Sequence, residues 1–330
     1  MKIEHFEWLR SHRAEYDLSS SGMAPLSLDE VLRLGEPGNL VEDLASLYGV
    51  DRRNIALTHG AQEGNFAALS ALRGAVEEAV TVVPEYEPIR ALPGFLGLKH
   101  VEAELGGSPS ALFDLIRPGV VLFFSNPNNP TGLYLGRKEL WELSDSLRRA
   151  GAYAVVDSIF LDFVLDDVRG LPLERMAYTF STSKFYTMAG AKAGWVIGDE
   201  DIVRRIGGVI DLVSPLVHDA CLSYASILVR KRDWVRERNL GIIRPNIEAL
   251  RGAGVEAQYV EHMPIAYVKC RGSSGSAAAE ELLRRGVLVV PGRLFGRDDG
   301  FRIGLGSSRR ADFEAAAGII ADVLKGLCRG

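Results

Sequence analysis

The chain contains few cysteines, and their spacing suits no metal site. Its 330 residues include three of them, Cys221, Cys270 and Cys328, which lie far apart and are odd in number. They form no metal-ligand pattern, so we expect no metal ion. Such sparse cysteine usage is typical of a reducing compartment, and we therefore expect a cytoplasmic protein.

The chain also lacks an excess of basic residues and a long apolar run. Its formal net charge of -5 gives no reason to expect nucleic acid or an anionic membrane as a partner. Residues 1–13 carry charges throughout, so we expect no signal peptide, and no apolar run reaches membrane-spanning length. With 47% hydrophobic and 25% charged residues, the composition is that of a globular chain, which we expect to form two lobes.

A lysine in the middle of the chain follows a short apolar stretch. Residues 176–180 predict a buried strand, and the sequence Ser-Thr-Ser-Lys follows at 181–184. Small side chains let a ligand approach the backbone, and hydroxyl groups can bind phosphate. A desolvated lysine amine loses its proton easily and becomes a nucleophile for carbonyl groups. Taken alone, Lys184 fits a solvated loop better, because most lysines are solvated.

Two further polar groups follow predicted buried strands. Residues 120–124 are uninterruptedly apolar, as parallel sheets require, and Asn129 lies in the Asn-Pro-rich turn that follows them. Asp157 ends the apolar stretch 152–156, where a carboxylate is costly unless a cation meets it. Open α/β sheets bind ligands at such strand ends. A structural turn for Asn129, and a helix cap or ion pair for Asp157, are the alternatives.

Two segments predict anion sites. Residues 54–58 read as a strand, and Gly60 then opens a helix that runs through residue 72. The free N–H groups and the dipole at such a helix start attract anions. Arg302 lies in an otherwise apolar predicted strand at 301–306, where it needs an anionic partner. A structural ion pair is the alternative for Arg302.

These motifs, taken in order, resemble the class I/II aminotransferases, a family of fold-type I pyridoxal phosphate (PLP) enzymes, over nearly the whole chain. The family signatures Ser-x-Ser-Lys…Gly-x-Arg-x-Gly-Trp and Asn-Pro-Thr-Gly correspond to residues 181–195 and 129–132. The resemblance implies that Lys184 carries PLP as a Schiff base and then serves as the general base. It implies that Asp157 keeps the pyridine nitrogen protonated and that Arg302 binds the substrate α-carboxylate.

The resemblance also implies the remaining contacts. The cofactor phosphate is assigned to Gly60, Ala61, Gln62, Ser181 and Lys192. Tyr86 is assigned to stacking on the pyridine ring, and Asn129 to its 3′-oxygen and the substrate side of the site. Gly22 is the candidate for a glycine that meets the substrate carboxylate, with a plain turn glycine as an equal alternative. For Tyr86 the alternative is a side chain that packs a loop.

Three positions depart from the family pattern. Phe160 replaces a tyrosine whose hydroxyl bonds the 3′-oxygen, and Lys192 replaces an arginine, keeping the charge but not the bidentate fork. Arg33 stands where a tyrosine often reaches the phosphate of the neighbouring subunit. In a homodimer Arg33 would compensate for Lys192; an exposed helix arginine is the simpler interpretation.

We expect an α/β fold with a large domain, built on a mostly parallel sheet of seven strands, and a small α+β domain. The expected boundaries are an N-terminal arm at 1–25, belonging to the small domain, a large domain at 26–250 and the C-terminal small domain at 251–330. Residues 200–251 predict helices, including a long one from residue 224. The basic run 230–232 reads as a solvated face of that region.

The resemblance implies an aminotransferase that moves an amino group between an L-amino acid and a 2-oxo acid with ping-pong kinetics. The candidate substrates are aspartate, aromatic or similar amino acids, and histidinol phosphate. A PLP-dependent lyase or decarboxylase on the same fold is the alternative, because the reaction depends on which Cα bond is activated. A non-catalytic PLP-binding regulator is disfavoured, because the chain has no room for a DNA-binding module before the large domain.

Overall fold

The structure is a computed structural model that describes residues 2–327, so Cys328 lies outside the described residues. Three short 3₁₀ helices lie at Arg52–Asn54, Pro109–Leu115 and Gly292–Phe295. The α-helices are α1 Glu4–Ser11, α2 Leu28–Leu32, α3 Leu40–Tyr48, α4 Ala61–Leu72, α5 Glu87–Phe95, α6 Arg137–Ala150, α7 Leu161–Val164, α8 Glu200–Val213, α9 Asp219–Arg230, α10 Arg232–Gly252, α11 Gly275–Arg284 and α12 Arg310–Leu327.

The strands form one large sheet and two smaller ones. They are β1 Tyr16–Asp17, β2 Ile55–Thr58, β3 Glu78–Val83, β4 Lys99–Glu104, β5 Val120–Ser125, β6 Tyr153–Asp157, β7 Met176–Ser181, β8 Gly194–Gly198, β9 Gln258–Tyr259, β10 Ile265–Lys269, β11 Val287–Leu288, β12 Val290–Pro291 and β13 Gly300–Gly304. The large sheet has seven strands in the order β2-β8-β7-β6-β5-β3-β4. Only β8 runs against its neighbours, so the predicted mostly parallel sheet is confirmed.

Helices cover both faces of this sheet, which explains why its central strands are continuously apolar. Side chains alternate between the faces: Val121 and Phe123 of β5 pack with the cluster that includes α4 and α8, whereas Leu122 and Phe124 pack with the cluster that includes α6. All residues of β3, β5, β7 and β8 are buried. The strands thus bring their carboxyl ends to one edge of a rigid core.

The C-terminal part of the chain forms a second unit around a four-stranded sheet in the order β12-β13-β10-β9. The N-terminal arm joins this unit through backbone hydrogen bonds. Strand β1 pairs in parallel with β11, Leu18 N–H donates to the Leu288 carbonyl at 2.9 Å, and Gly304 N–H donates to the Leu18 carbonyl at 2.7 Å. The arm therefore leaves this sheet and runs toward the edge of the large one.

Two continuous stretches of the chain are each divided in the structure. The helix expected from residue 224 is two helices, α9 and α10, that meet at Lys231, whose backbone (φ -102°, ψ 24°) leaves the helical region. The apolar run 287–290 is divided between β11 and β12, because its first half pairs with the arm and its second half with β13. Sequence patterns mark apolar runs but do not show where a run changes partner.

The interpretation of the basic run 230–232 as a solvated face is wrong for Arg232. Its side chain is buried, and its Nε donates to Oδ1 of Asp162 at 2.7 Å. The guanidinium also donates to the carbonyls of Leu165 and Asp166, so it ties α10 to the end of α7. A buried arginine is tolerated because a carboxylate and carbonyl oxygens surround it. Within residues 2–327, no helix is long and apolar enough to cross a membrane.

Candidate active site

A cavity of about 610 Å³ opens at the carboxyl edge of the large sheet. Segments that follow five of its strands reach this edge, as expected for ligand sites in open α/β sheets. The N-terminal arm and β13 of the second unit close it from the opposite side. Ten of the residues predicted from sequence line this cavity together: Gly60, Ala61, Gln62, Tyr86, Asn129, Asp157, Ser181, Lys184, Lys192 and Arg302.

Lys184 lies just beyond the end of β7, and its remaining exposure is to the cavity. Burial lowers the pKa of Lys184 from 10.5 to about 8. The positive charges of Arg302 and Lys192 act in the same direction, whereas the carboxylate of Asp157 raises the pKa. A lysine with such a pKa is partly unprotonated near neutral pH, which makes its amine available as a nucleophile or base.

This environment predicts the pH dependence of Lys184 reactivity. In the protein without cofactor, the rate at which a small amine-acylating reagent modifies Lys184 should rise with pH and level off above about 8, because the neutral amine is the reactive form. Peptide mass mapping after short exposures measures this rate. The Asp157→Asn variant should reach its plateau at lower pH, since it loses the charge that raises the pKa. A half-maximal rate near 10.5 in the wild type would contradict the prediction.

Asp157 ends β6 as a buried carboxylate that has no ion pair among residues 2–327. Its Oδ2 accepts a hydrogen bond from Asn65 Nδ2 at 2.7 Å, and its Oδ1 accepts one from the Ile159 N–H at 3.2 Å. Burial raises the pKa of Asp157, and both hydrogen bonds oppose that rise. A carboxylate held in this way is prepared for a cationic partner in the cavity.

Asn65 was not predicted from the sequence, although it fixes the orientation of Asp157. It is buried on α4, one turn after Ala61, and its Oδ1 accepts a hydrogen bond from the Thr179 hydroxyl at 2.6 Å. Thr179 thereby sets which end of the Asn65 amide faces Asp157. An asparagine among the apolar residues of a helix is the signal that could have identified it, because a buried amide needs polar partners.

An anion cradle lies where β2 passes into α4. Gly60 has φ +103° and offers no side chain to cap the helix. A Cβ at Gly60 would lie 3.3 Å from both Ser181 Oγ and Lys192 Cδ, so a hydroxyl and a lysine side chain face the start of α4. A Cβ at Gly194 would lie 2.4 Å from the Gly60 Cα, and only glycine there permits this approach. Helix N–H groups, a hydroxyl and a cation together suit a phosphate.

Arg302 is a buried cation without a carboxylate partner among the described residues. Its side chain is 1% exposed, Nη1 donates to Asn129 Oδ1 at 3.0 Å, and Nη2 donates to the Ser19 carbonyl at 2.5 Å. The third group, Nε, is buried without a hydrogen-bond partner among the described residues. Burial lowers the pKa of Arg302 to about 10. A buried guanidinium whose charge no carboxylate compensates is suited to an anionic ligand such as a carboxylate.

Three other sequence-predicted positions lie in or near the cavity. Phe160 lines it. Gly22 lies beside Lys184 rather than in the lining, since a Cβ there would be 3.8 Å from Lys184 Cδ, and its contact with substrate stays a prediction. Arg33 is exposed at the end of α2, outside this cavity, and its role toward a partner chain stays a prediction as well.

Glu85, like His5, was not predicted from the sequence as a residue of the site. Glu85 is fully buried after β3, where it accepts hydrogen bonds from the N–H and the hydroxyl of Ser125 and from the Tyr86 N–H. Burial raises the pKa of Glu85 to about 8. Ser125 in turn accepts a bond from the Asn129 N–H at 2.9 Å, so Glu85 links the segments of Tyr86 and Asn129. Its position after an apolar strand is the same signal that identified Asp157.

The fold and the cavity are those expected of a PLP-dependent enzyme, and a comparison with known families identifies the family. The family model described as aminotransferase class I and II matches residues 35–320. The chain therefore belongs to the class I and II aminotransferases, a fold-type I family of PLP-dependent enzymes.

The chain is similar to proteins that carry different names. Capreomycidine synthase of Streptomyces vinaceus is 28% identical over 380 aligned residues, covering 98% of this chain and 94% of the relative. Histidinol-phosphate aminotransferase 2 of Carboxydothermus hydrogenoformans is 26% identical, covering 81% and 76% of the two chains. A solved PLP-dependent aminotransferase of Streptococcus suis has the same fold, with a TM-score of 0.88, 23% identity and coverage of 99% and 98%.

Proposed function

We propose that this protein is a PLP-dependent aminotransferase that moves an amino group between an L-amino acid and a 2-oxo acid. One observation carries the proposal: Lys184, Asp157 and Arg302 line one cavity. Neither the Asp157 carboxylate nor the Arg302 guanidinium has an ion-pair partner among residues 2–327. A cofactor with a cationic ring nitrogen and a substrate with a carboxylate supply the two missing partners.

The residues present fit PLP. Ser181, Lys192 and the start of α4 would hold the phosphate, because a hydroxyl, a cation and free N–H groups converge there. Tyr86 would contact the ring and Asn129 the 3′-oxygen, while Asp157 would pair with the ring nitrogen. When bound, PLP would supply an electron sink for the bonds at the Cα atom of an amino acid.

Lys184 would have two tasks in this site. Its amine would be the group that holds the cofactor. The same amine would act as the base that removes the Cα proton of the substrate. A pKa of about 8 lets the Lys184 amine accept and release a proton near neutral pH, which is the range in which general bases work best.

Arg302 would bind the substrate α-carboxylate and so orient the Cα atom toward Lys184. The Arg302→Leu variant should lose about 10³-fold in kcat/KM for amino acids, because it removes a charge-assisted, desolvated contact. Amines that lack the carboxylate serve as the control, and their slow reaction should change by less than about threefold. Equal losses for amino acids and amines would show that Arg302 supports the fold rather than the carboxylate.

A lyase or decarboxylase reaction with the same cofactor is the second candidate. The relative that aligns with 98% of the chain is named a synthase rather than an aminotransferase, which favours keeping this candidate. Product analysis separates the two: a 2-oxo acid supports amino transfer, whereas carbon dioxide or an eliminated group supports the alternative. A PLP-binding regulator would convert no amino acid at all.

The finer assignments belong to the same proposal. Aspartate, aromatic amino acids and histidinol phosphate are the substrate classes to test first.

A homodimer would place Arg33 near the partner's cofactor phosphate, and unchanged PLP affinity after removal of Arg33 would refute that role.

The direct test of the reaction is a panel of amino donors given to the protein with PLP and 2-oxoglutarate as acceptor. The proposal expects stoichiometric 2-oxo acid and glutamate from at least one donor class, with the ping-pong pattern of parallel lines in double-reciprocal plots. A protein that binds PLP but yields neither product from any donor would refute amino transfer.

A further inference from the structure

Helix α1 and the residues after it form one wall of the cavity. No role was predicted for the side chains of this wall. His5, Phe6, Leu9 and Arg13 all line the cavity. Their spacing places them along one side of the helix and its end. Two of its rings, His5 and Phe6, stand edge-on to Tyr86 at 5.1 and 6.4 Å between centroids.

The position of α1 is fixed from both units of the chain. Glu87 accepts hydrogen bonds from the Glu4 N–H at 2.9 Å and the His5 N–H at 2.6 Å, which satisfies the helix start. Trp8 Nε1 donates to the Val289 carbonyl at 2.8 Å, and Arg293 pairs with Glu4 at 2.8 Å. The His5 side chain is therefore held at a defined place beside the cavity.

His5 is enclosed by aromatic rings, yet its ring nitrogens make no hydrogen bond with the described residues. The side chain is 3% exposed, and its ring stands edge-on to Tyr86 at 5.1 Å and to Phe295 at 5.4 Å between centroids. Nδ1 is fully buried, whereas Nε2 keeps accessible surface and is therefore the nitrogen open to the cavity that His5 lines. A ligand that fills the cavity buries Nε2 as well, and native structures satisfy nearly all buried polar atoms, so Nε2 needs a polar group of that ligand.

The surroundings keep the imidazole neutral. Burial lowers the pKa of His5 well below 6.5, and the positive charges of Arg302 and Lys184 lower it further. The Glu87 carboxylate faces the backbone N–H of His5 and already accepts two bonds there. A neutral imidazole offers one donor and one acceptor. The imidazole therefore suits an uncharged hydrogen-bonding group rather than an anion.

The rest of the wall supports the same chemistry. Phe6, Leu9 and Ile89 are apolar. The arginine in this wall is Arg13, which lies two residues beyond α1 and eight residues after His5, and its Nη1 donates to the carbonyls of Leu9, Arg10 and His12. Beside His5 itself, a side-chain carboxylate would meet apolar groups and a neutral ring.

We propose that His5 is a specificity-determining residue that receives the side chain of the amino acid and selects an uncharged side chain with a hydrogen-bonding group, such as a phenol, amide or imidazole. The inference rests on the proposed function, because it takes the α-carboxylate to lie at Arg302. The His5 ring and the Arg302 guanidinium lie 5.4 and 5.3 Å from the centroid of the same ring, Phe295, so His5 adjoins the expected place of the α-carboxylate. A hydrocarbon side chain of equal size would bury Nε2 without giving it a hydrogen-bond partner.

The test compares amino acids of similar shape that differ in a polar group: tyrosine with phenylalanine, and glutamine with methionine. In the wild type, kcat/KM for the polar member of at least one pair should exceed that for the apolar member by about tenfold or more. In His5→Phe, which keeps an aromatic ring among its aromatic neighbours, this ratio should fall to within about threefold. The fall should come from the polar member. Phe95→Leu, at an exposed aromatic outside the cavity lining, is the matched control and should leave the ratio unchanged.

A second measurement does not depend on turnover. α-Methyl amino acids lack the Cα proton, and their dissociation constants can be read from the cofactor absorbance. The wild type should bind α-methyltyrosine at least fivefold more tightly than α-methylphenylalanine, and His5→Asn, which keeps a donor and an acceptor, should retain part of the difference. A ratio that His5→Phe leaves unchanged, or a wild-type preference for aspartate, would overturn the role of His5. Binding without formation of any 2-oxo acid would instead refute the proposed amino transfer.

Discussion

Replacing Lys184 with alanine is expected to lower kcat/KM by on the order of 10⁴-fold or more, the largest loss that any single side chain of this site should cause. Two functions disappear together: the covalent hold on the cofactor and the base beside the substrate Cα. The neighbouring groups cannot replace the amine, because Arg302 stays protonated and Lys192 faces the anion cradle at Gly60.

The spectrum of the variant separates these functions. Lys184→Ala should still bind PLP through the anion cradle, but with the absorbance of the free aldehyde and with cofactor lost on gel filtration. Lys138→Ala, at an exposed position on α6, is the matched control and should retain both the lysine-bound band and full activity. Activity within tenfold of the wild type in Lys184→Ala would remove Lys184 from the mechanism.

The second large effect is expected for Asp157→Asn, with a loss of about 10³-fold in kcat. Asparagine keeps the shape and can still accept the Asn65 hydrogen bond through its amide oxygen, so the change removes the negative charge and the longer, 3.2 Å bond from the Ile159 N–H. Without that charge the ring nitrogen is not held protonated, and the electron sink that the reaction needs is weakened. The measurement is kcat at saturating PLP, together with PLP affinity.

Asn65→Ala provides the comparison for Asp157→Asn. It leaves the charge of Asp157 in place but removes the 2.7 Å bond that orients it, so we expect a loss of only about tenfold. A similar loss in both variants would mean that geometry, rather than charge, is the contribution of Asp157. An unchanged kcat in Asp157→Asn would contradict the role assigned to the carboxylate.

Much of the cavity lining could be predicted from the sequence, because its polar groups directly follow apolar strands. Asp157, Asn129 and Lys184 each lie at such a point, and the structure brings all three to one edge of the sheet. Helix α6 is equally local in origin, because its apolar residues recur at helical spacing and Gly151, at φ +68°, ends it.

The remaining features depend on contacts between segments far apart in the chain, which local patterns do not show. The role of Asn65 is visible only once Asp157, 92 residues later, is placed beside it. The basic run that contains Arg232 indicates a solvated face, and only the fold places Asp162 beside that arginine. His5 lies in a helix with many charged residues, and only the docking of that helix between Glu87 and Val289 brings it to the cavity.

The measurement that tests the central claim most directly is identification of the residue that carries PLP. The protein is loaded with PLP, reduced with borohydride to fix the linkage, digested, and mapped by peptide mass. The account predicts the reduced cofactor on Lys184 at close to one per chain, and none on Lys192. Cofactor on another lysine, or none after loading at saturating PLP, would contradict the assignment of this cavity as the active site.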